Sequence, residues 1–279
     1  MELQYDGTEL HGWAKQEGLS TVEGCLEDAF RTVLSDAPAL LVAGRTDAGV
    51  HARRQVVSLR LPRGIDLPKL AASLNALTPA GIVISRIARA PEGFDARKNA
   101  VSRTYRYFAS TAGAPAISAA VSSSAVVSPF WSRYCWQTQR TADPSLLGAA
   151  AEATLGSHDF TAFTPGETEH VFFRRLVLRC AWRRVSGALW GSGGGRGGGR
   201  SGMLCLEIEA DAFLRRMVRA LVGTMLEVGE GKRELGSYCG LLEGAARESA
   251  GLTAPPHGLF LWDVKYGSGA RAGECEESD

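Results

Sequence analysis

A loop between two strand patterns most constrains the fold of this chain. The continuous apolar run 39–42 precedes segment 43–52, and the alternating segment 55–61 follows it. A short apolar run bounded by glycine is typical of a buried strand, so the flanking runs predict strands and segment 43–52 a tight loop. Gly44 and Gly49 permit backbone angles and close approaches that other residues resist. Functional side chains concentrate on loops held by rigid strands.

The loop carries one carboxylate, Asp47, and one guanidinium, Arg45, two positions apart. An aspartate beside a glycine is common in plain turns, and Arg–Asp pairs are common on surfaces. The alternative is a nucleophilic carboxylate that a nearby cation keeps ionised, which requires neither metal nor cofactor. Taken alone, these two side chains favour the plain turn.

Composition limits the classes of partner and ligand. The chain has 279 residues and a formal net charge of +1, so RNA would have to be bound by local basic patches. Its six cysteines form no C-x-x-C pair and lie at no metal spacing from histidine. The sequence therefore predicts no metal and no cofactor. No apolar run reaches membrane-spanning length, so no membrane partner is expected.

The termini and thiols bear on the cellular compartment. No signal peptide is visible, which favours reduced thiols inside a cell. The chain begins almost within its first strand pattern, as expected if an N-terminal extension is missing. We therefore expect a cytoplasmic protein, or one of an organelle interior if a targeting segment is missing.

The first part of the chain alternates strand and helix patterns. Ser20 and Glu23 predict a capping box at the start of the first helix. Segment 67–77 predicts a second helix, and segments 81–87 and 100–108 predict strands. The order strand, helix, strand, strand, helix, strand, strand resembles a split βαβ unit.

The second part gives a similar mixture. Its patterns predict a helix over 144–155 capped by Asp143, a helix capped by Asp211, a helix over 234–248, and strands over 174–185, 203–210 and 258–266. In the helix after Asp211, apolar residues spaced four apart from Phe213 to Met225 predict a wide buried face.

Low-complexity stretches predict the domain boundaries. Residues 1–108 form the half that carries the Asp47 loop, and the Ala-, Ser- and Gly-rich segment 109–128 is a linker or insertion. Residues 129–266 form the second half, with a flexible Gly-rich insertion at 187–202, and 267–279 is a disordered tail. The insertion contains G-x-G-x-x-G with no helix after it, so it is not a dinucleotide site.

Segment 43–52, A-G-R-T-D-A-G-V-H-A, resembles the active-site motif of the TruA-type tRNA pseudouridine synthases at every position. The likeness covers residues 1–266, with further motifs Y-D-G-T at 5–8, F-x-A-R at 94–97, R-x-Y-R-Y at 103–107 and F-L-x-x-M-V-R-x-x-V-G at 213–223. It implies an α/β (α+β) fold of two related split βαβ halves. These halves share a mixed, mostly antiparallel sheet flanked by helices, with a central RNA-binding cleft.

The resemblance also implies the reaction. A homodimer would bind tRNA and isomerise uridine to pseudouridine in the anticodon stem-loop, at positions 38–40, with Asp47 as nucleophile. Arg219 would face Asp47, Tyr105 would stack on the target uracil, and Leu259 would line the uracil pocket. Leu259 is equally well interpreted as a core residue of a strand. Tyr107 is interpreted as a core aromatic, while Arg215 and Arg216 are assigned to a solvated basic face.

Several further side chains are candidates for RNA contact. Arg45 is placed to fill the space left by the extruded nucleotide or to hold a neighbouring phosphate, and His51 belongs to the same substrate-binding set. Candidate phosphate contacts are Arg53, Arg54, Arg97, Lys98, Arg103 and Arg106, each of which could equally be a surface charge. The chain departs from the family pattern at Ala14, where glutamine is usual, and at Arg54, where glycine is usual.

Two other functions remain open from sequence. One is a non-catalytic RNA-binding or ribonucleoprotein assembly protein on the same fold. The set of Asp47, Tyr105 and Arg219 argues against it, because a pure binder needs no nucleophile. The other is a pseudouridine synthase that acts on another RNA, from which only the family resemblance distinguishes a tRNA enzyme.

Overall fold

The computed structural model describes residues 1–110, 131–138, 142–167, 171–185 and 203–267. Its strands are β1 Glu2–Tyr5, β2 Leu41–Val42, β3 His51–Ser58, β4 Ile82–Arg86, β5 Ala100–Ser110, β6 Trp136–Gln137, β7 Gly156–Asp159, β8 Arg174–Arg184, β9 Met203–Ala210 and β10 Leu259–Tyr266. Its α-helices are α1 Val22–Leu34, α2 Leu67–Leu77, α3 Pro144–Ala153, α4 Met217–Gly229 and α5 Leu235–Leu241. In the described residues the fold is mixed α/β and its strands pair mostly antiparallel, which confirms the predicted class.

The chain divides into two compact units. The first contains residues 1–103 and the chain from Phe260 onward, and the second contains residues 104–259. Most of the predicted linker 109–128 lies outside the described residues, and its first two residues end β5. The Gly-rich insertion 187–202 and the tail after Gly267 also lie outside them.

In the first unit, β3 pairs with three other strands. It pairs antiparallel with β1 and β2 and parallel with β10, while β1 pairs antiparallel with β4. The order β1, α1, β2, β3, α2, β4, β5 is the one that the sequence predicted. The strand β3 begins at His51 rather than at the predicted Gln55, so the last residues of segment 43–52 are already on a strand.

In the second unit, β7, β8 and β9 pair antiparallel, and the helices α3 and α4 pack together. The predicted cap of α3 is confirmed, since the Asp143 carboxylate accepts a hydrogen bond from Ser145 N. Trp182 on β8 donates its indole N–H to the sulfur of Met225 on α4 at 3.3 Å, so that face of β8 lies against the helix.

Three predicted helix boundaries are wrong. The cap of α1 is Thr21, whose Oγ1 accepts from Gly24 N, because the Glu23 carboxylate instead accepts from Lys15 N at 2.9 Å. The helix predicted over 234–248 ends at Leu241, and the chain soon reaches Gly244 at a φ of 93°, which a helix cannot contain.

The helix predicted from Asp211 begins later, at Met217. The Asp211 carboxylate accepts a hydrogen bond from Leu176 N on the neighbouring strand at 3.0 Å, so it terminates the sheet and does not cap a helix. The N-cap of α4 is Arg216, which has a φ of 59°. A non-glycine residue rarely adopts this conformation, so the surrounding structure must hold the turn in place.

Candidate active site

The Asp47 loop connects β2 to β3 in the first unit, and its main chain is hydrogen-bonded on both sides of Asp47. Trp13 N donates to Thr46 O at 3.0 Å, and Gly49 N donates to Leu10 O at 3.1 Å. Asp47 O accepts from Val50 N at 3.2 Å, which closes the turn. The Asp47 residue is half-buried. The loop is therefore fixed in position although it belongs to no helix or strand.

Two glycines allow the N-terminal segment to lie directly against this loop. A Cβ atom on Gly7 would lie 2.1 Å from Val50 O, and one on Gly12 would lie 2.7 Å from Thr46 O. Gly12 also has a φ of 88°, which disfavours any side chain. Both positions accept only glycine without displacing the loop that carries Asp47.

Buried side chains hold the loop from the side of the sheet. The Tyr5 hydroxyl lies 2.8 Å from Thr46 Oγ1, and Gln55 Nε2 donates to the Tyr5 oxygen at 3.2 Å and to Gly44 O at 2.8 Å. Burial raises the pKa of Tyr5 to about 12, so its hydroxyl remains protonated at neutral pH.

Arg103 holds the start of the same loop. Its guanidinium donates to Ala43 O at 2.9 Å, to Arg97 O at 2.7 Å and to Ala100 O at 3.3 Å. Arg103, which the sequence predicted as a phosphate contact, therefore donates hydrogen bonds to three backbone carbonyls within the protein.

His51 follows the loop at the first position of β3. Its ring is 1% exposed and stacks on Phe260 with ring centroids 4.5 Å apart. Gly7 N donates to its Nδ1 at 3.0 Å, and an Asp6 carboxylate oxygen lies 3.1 Å from the same nitrogen. These contacts join β3 to the turn that follows β1. The role of His51 in binding substrate stays a prediction.

The remaining cations of the first unit differ in their contacts. Arg54 pairs with the carboxylates of Glu2 at 2.8 Å and Asp263 at 2.9 Å. The hydrogen bond from Arg54 lowers the pKa of Glu2 below its usual value, and the same bond raises the pKa of Arg54. The Arg53 guanidinium carbon lies 4.8 Å from the ring centroid of Trp262, which is a cation–π distance. Among the predicted RNA contacts of this unit, the exposed residues are Arg45, Arg53, Arg97 and Lys98.

In the second unit, the two tyrosines of β5 are buried. Tyr105 meets Phe213 edge-on, with centroids 4.9 Å apart and an interplanar angle of 81°. Tyr107 is fully buried and donates its hydroxyl to Pro255 O at 2.9 Å, which confirms its interpretation as a core aromatic. Leu259, the first residue of β10, is 6% exposed.

Arg219 lies on α4 and is half-buried. Its Nε donates to Ala254 O at 2.7 Å, and Ala254 N donates back to Arg219 O at 3.0 Å. The bond from Nε orients the guanidinium, and the two bonds together hold segment 251–255 against the helix. Burial, and secondly the charge of Arg219, lowers the pKa of the nearby His257. Arg215 and Arg216 are exposed, as predicted.

Arg106, another predicted phosphate contact, forms an internal ion pair. Its guanidinium contacts the Glu207 carboxylate at 2.6 Å and 2.8 Å, and Arg179 contacts the other oxygen of that carboxylate at 3.0 Å. Glu207 is 6% exposed, so its charge requires such partners.

Sequence reasoning did not identify Tyr5 and Gln55 as supports of the loop. Gln55 is fully buried on β3, where the next two residues, Val56 and Val57, are apolar and buried. A polar residue at an apolar position of a strand pattern is a signal that could have found it, because a buried amide must find hydrogen-bond partners.

The predicted site residues are distributed over both units. Asp47, Arg45, His51, Arg53, Arg54, Arg97, Lys98 and Arg103 belong to the first unit, and Tyr105, Arg106, Arg219 and Leu259 belong to the second. Within the described ranges, no group of three His, Cys, Asp or Glu side chains could hold a metal ion. None of the helices in those ranges is long and apolar enough to cross a bilayer.

Comparison with known proteins identifies the family. A family model described as tRNA pseudouridine synthase matches residues 150–267. A protein named tRNA pseudouridine synthase A from Bifidobacterium animalis subsp. lactis is 37% identical, with 95% of this chain and 92% of the relative aligned. Proteins of the same name from Frankia casuarinae (38% identical, 95% and 88% aligned) and Chlorobium chlorochromatii (34% identical, 95% and 98% aligned) are also similar. Because these likenesses extend over nearly the whole chain, the chain belongs to the tRNA pseudouridine synthase family and is an enzyme of that class, an isomerase.

Proposed function

We propose that this enzyme converts uridine to pseudouridine in the anticodon stem-loop of tRNA, at positions 38–40, with Asp47 as the nucleophile. The observation that carries the proposal is the fixed loop around Asp47. Hydrogen bonds from Trp13, Gln55 and Arg103 hold its backbone before the substrate arrives. Preorganisation of this kind lowers the entropic cost of bringing a nucleophile to its target.

The reaction needs only the substrate and the carboxylate. Asp47 forms a covalent bond either to the ribose carbon C1′ or to the uracil ring, and the bond between C1′ and uracil N1 breaks. The uracil turns, C5 bonds to C1′, the proton on C5 leaves, N1 takes a proton, and the carboxylate is released. Both orders of attack balance in atoms and electrons, and neither requires a redox cofactor.

The proposal assigns three residues of the second unit to the target nucleotide. Tyr105 stacks on the uracil, and its edge-on contact with Phe213 supports a fixed ring orientation. Leu259 lines the pocket, and Arg219 is the cation that faces the nucleophile. The orientation of Arg219 is supported by its bond to Ala254 O. The RNA-binding cleft implied by the family stays a prediction.

The proposal assigns the phosphate contacts to those predicted contact residues that are exposed. Arg53, Arg97 and Lys98 are exposed and suited to phosphate binding, and exposed Arg45 is assigned to the space beside the extruded nucleotide. Arg54, Arg103 and Arg106 have carboxylate or carbonyl partners within the protein, which favours a structural role for them. The affinity for tRNA should fall with rising salt concentration as these few contacts release counterions.

The partner assignments follow the family. We propose that the protein binds tRNA as a homodimer in the cytoplasm. Light scattering of the purified protein at several concentrations tests the oligomeric state: a constant mass of one chain would exclude the homodimer.

The test of the proposed function is pseudouridine mapping. A tRNA transcript with uridines at positions 38–40 is incubated with the wild-type protein and with Asp47→Asn, which keeps the side-chain shape and removes the charge. We expect pseudouridine at those positions with the wild type, and a rate lowered by more than about 10⁴-fold in the variant.

Other outcomes would identify the competing functions. Pseudouridine in the variant at the wild-type rate would exclude Asp47 as the nucleophile. Salt-sensitive binding without any product would favour a non-catalytic RNA-binding protein. Product in another RNA class, and none in tRNA, would overturn the substrate assignment.

A further inference from the structure

A buried chain of side chains leads from β3 to the residue that precedes Asp47. Gln55, Tyr5 and Thr46 are 0%, 4% and 7% exposed. Gln55 Nε2 donates to the Tyr5 oxygen at 3.2 Å, and that oxygen lies 2.8 Å from Thr46 Oγ1. All three residues belong to the first unit.

The direction of the bond between Gln55 and Tyr5 follows from which of their atoms can donate. The amide nitrogen of Gln55 can only donate, and its carbonyl oxygen accepts from Val56 N at 3.2 Å. Tyr5 therefore accepts from Gln55, and in the bond between the Tyr5 and Thr46 hydroxyls either group can donate to the other. The Thr46 Oγ1 is hydrogen-bonded to the Tyr5 hydroxyl, and the Thr46 carbonyl oxygen accepts from Trp13 N.

Thr46 is thus fixed through both its side chain and its main chain, one residue before Asp47. The Gln55 amide holds Gly44 O at 2.8 Å, two residues earlier. A loop tethered at Gly44 and Thr46 has little freedom to rotate the peptide that leads into Asp47. Such freedom matters because a displacement of about 1 Å can lower a rate by about 100-fold.

We propose that Tyr5 is a positioning residue for catalysis, which acts through Thr46 to fix the direction of the Asp47 carboxylate. The inference rests on the proposed role of Asp47 as nucleophile. It assigns a function to a hydroxyl that touches neither substrate nor reacting atoms.

The second unit supplies a matched control. Tyr238 on α5 is also fully buried, and its hydroxyl lies 2.6 Å from Thr154 Oγ1. Thr154 is the C-cap of α3, where its Oγ1 also donates to Ala150 O. The two Tyr–Thr pairs therefore have the same chemistry and similar burial, but only one of them adjoins the Asp47 loop.

The experiment compares Tyr5→Phe with Tyr238→Phe in the full chain. Each removes one buried hydroxyl, so we expect a similar fall in melting temperature. Tyr5→Phe should lower kcat about 10- to 100-fold while the KM for tRNA stays unchanged. Tyr238→Phe should change kcat by less than about threefold, because its partner Thr154 ends α3 and does not belong to a loop that carries a proposed catalytic residue.

Thr46 provides a second, independent variant. Thr46→Val removes the hydroxyl that Tyr5 contacts and should lower kcat as Tyr5→Phe does, whereas Thr46→Ser should recover most of that loss. The double variant Tyr5→Phe/Thr46→Val should lower kcat no further than either single variant, since the two residues act through one hydrogen bond. If Tyr5→Phe does not fold, the positioning role is tested by comparing kcat of Thr46→Val with kcat of Thr46→Ser.

Two results would overturn the inference: an unchanged kcat in Tyr5→Phe, or equal kcat losses in Tyr5→Phe and Tyr238→Phe. Failure of the underlying function is distinguished by Asp47→Asn assayed in parallel. If that variant is active, the nucleophile assignment fails. If it is inactive while Tyr5→Phe has wild-type kcat, only the positioning role fails.

Discussion

Two irregular segments, one in each unit, are held in opposite ways. The Asp47 loop is held by residues around it, through Tyr5, Gln55 and Arg103. Segment 251–255 is held against α4 by Arg219 itself. In the first case residues other than the proposed nucleophile hold the segment, and in the second the proposed catalytic side chain itself holds it.

The packing of the two segments also differs. Segment 251–255 approaches α4 so closely that a Cβ atom on Gly223 would lie 1.7 Å from Leu252 O. Thr224 Oγ1 accepts from Gly251 N at 3.0 Å, and the Arg247 guanidinium donates to Gly251 O at 3.0 Å. Replacing Asp47 should therefore cost activity with little loss of stability, whereas replacing residues around Arg219 should cost both.

The largest expected effect on stability comes from Gly223→Ala. The added methyl group must displace a backbone carbonyl, so we expect a loss of about 2–3 kcal/mol in the free energy of unfolding. Gly236→Ala is the control, because Gly236 lies in α5 with nothing within 4 Å of the added carbon. Alanine favours a helix, so the control should be neutral or stabilising by up to about 1 kcal/mol. Equal denaturant midpoints for the two variants would contradict this packing.

A smaller effect is expected for Arg219→Lys. Lysine keeps the charge but lacks the Nε donor, so Ala254 O loses a hydrogen bond and the free energy of unfolding should fall by about 1–2 kcal/mol. Turnover should fall as well, because the cation is no longer held in one plane. Arg215→Lys, at an exposed position, is the control.

The contrast between the units is tested by comparing Arg219→Lys with Asp47→Asn. Denaturant unfolding should place Asp47→Asn within about 0.5 kcal/mol of the wild type. If Asp47→Asn is destabilised more than Arg219→Lys, the Asp47 carboxylate is itself a structural support, and the contrast fails.

The effect on stability expected for Arg54→Met is smaller than that for Arg219→Lys, because both ion pairs of Arg54 are partly exposed. The loss should be below about 1 kcal/mol at pH 7. Arg54 holds the pKa of Glu2 below its usual value, so this contribution is present above about pH 4.5 and is lost as the pH falls through the lower, folded-state pKa. The difference in melting temperature between wild type and variant should thus shrink on acidification. A difference that grows in acid would contradict the pairing.

The smallest effect is expected for deletion of residues 191–202, which lie outside the described part of the chain. We expect fold, turnover and tRNA affinity to stay close to wild type, as measured by circular dichroism, single-turnover assay and filter binding. A collapse of tRNA binding alone would identify the Gly-rich segment as an RNA contact.

The sequence by itself determined the family, the position of Asp47 and most of the elements. Helix α2 and strand β9 have strong sequence patterns, and in the structure both begin and end at the predicted residues. The motif 43–52 was recognisable because its glycines and its carboxylate occupy fixed neighbouring positions. Information of this kind is local along the chain, so one sequence is enough to detect it.

Only the tertiary structure decided which polar residues support the loop and which cations have internal partners. Tyr5 and Thr46 are 41 residues apart, and Arg54 and Asp263 are 209 apart. The sequence predicted Asp211 as a helix cap, but its carboxylate accepts a hydrogen bond from Leu176 N on the neighbouring strand. Such partners depend on which strands lie side by side, and a polar group pairs with whichever complementary group the fold brings within about 3 Å.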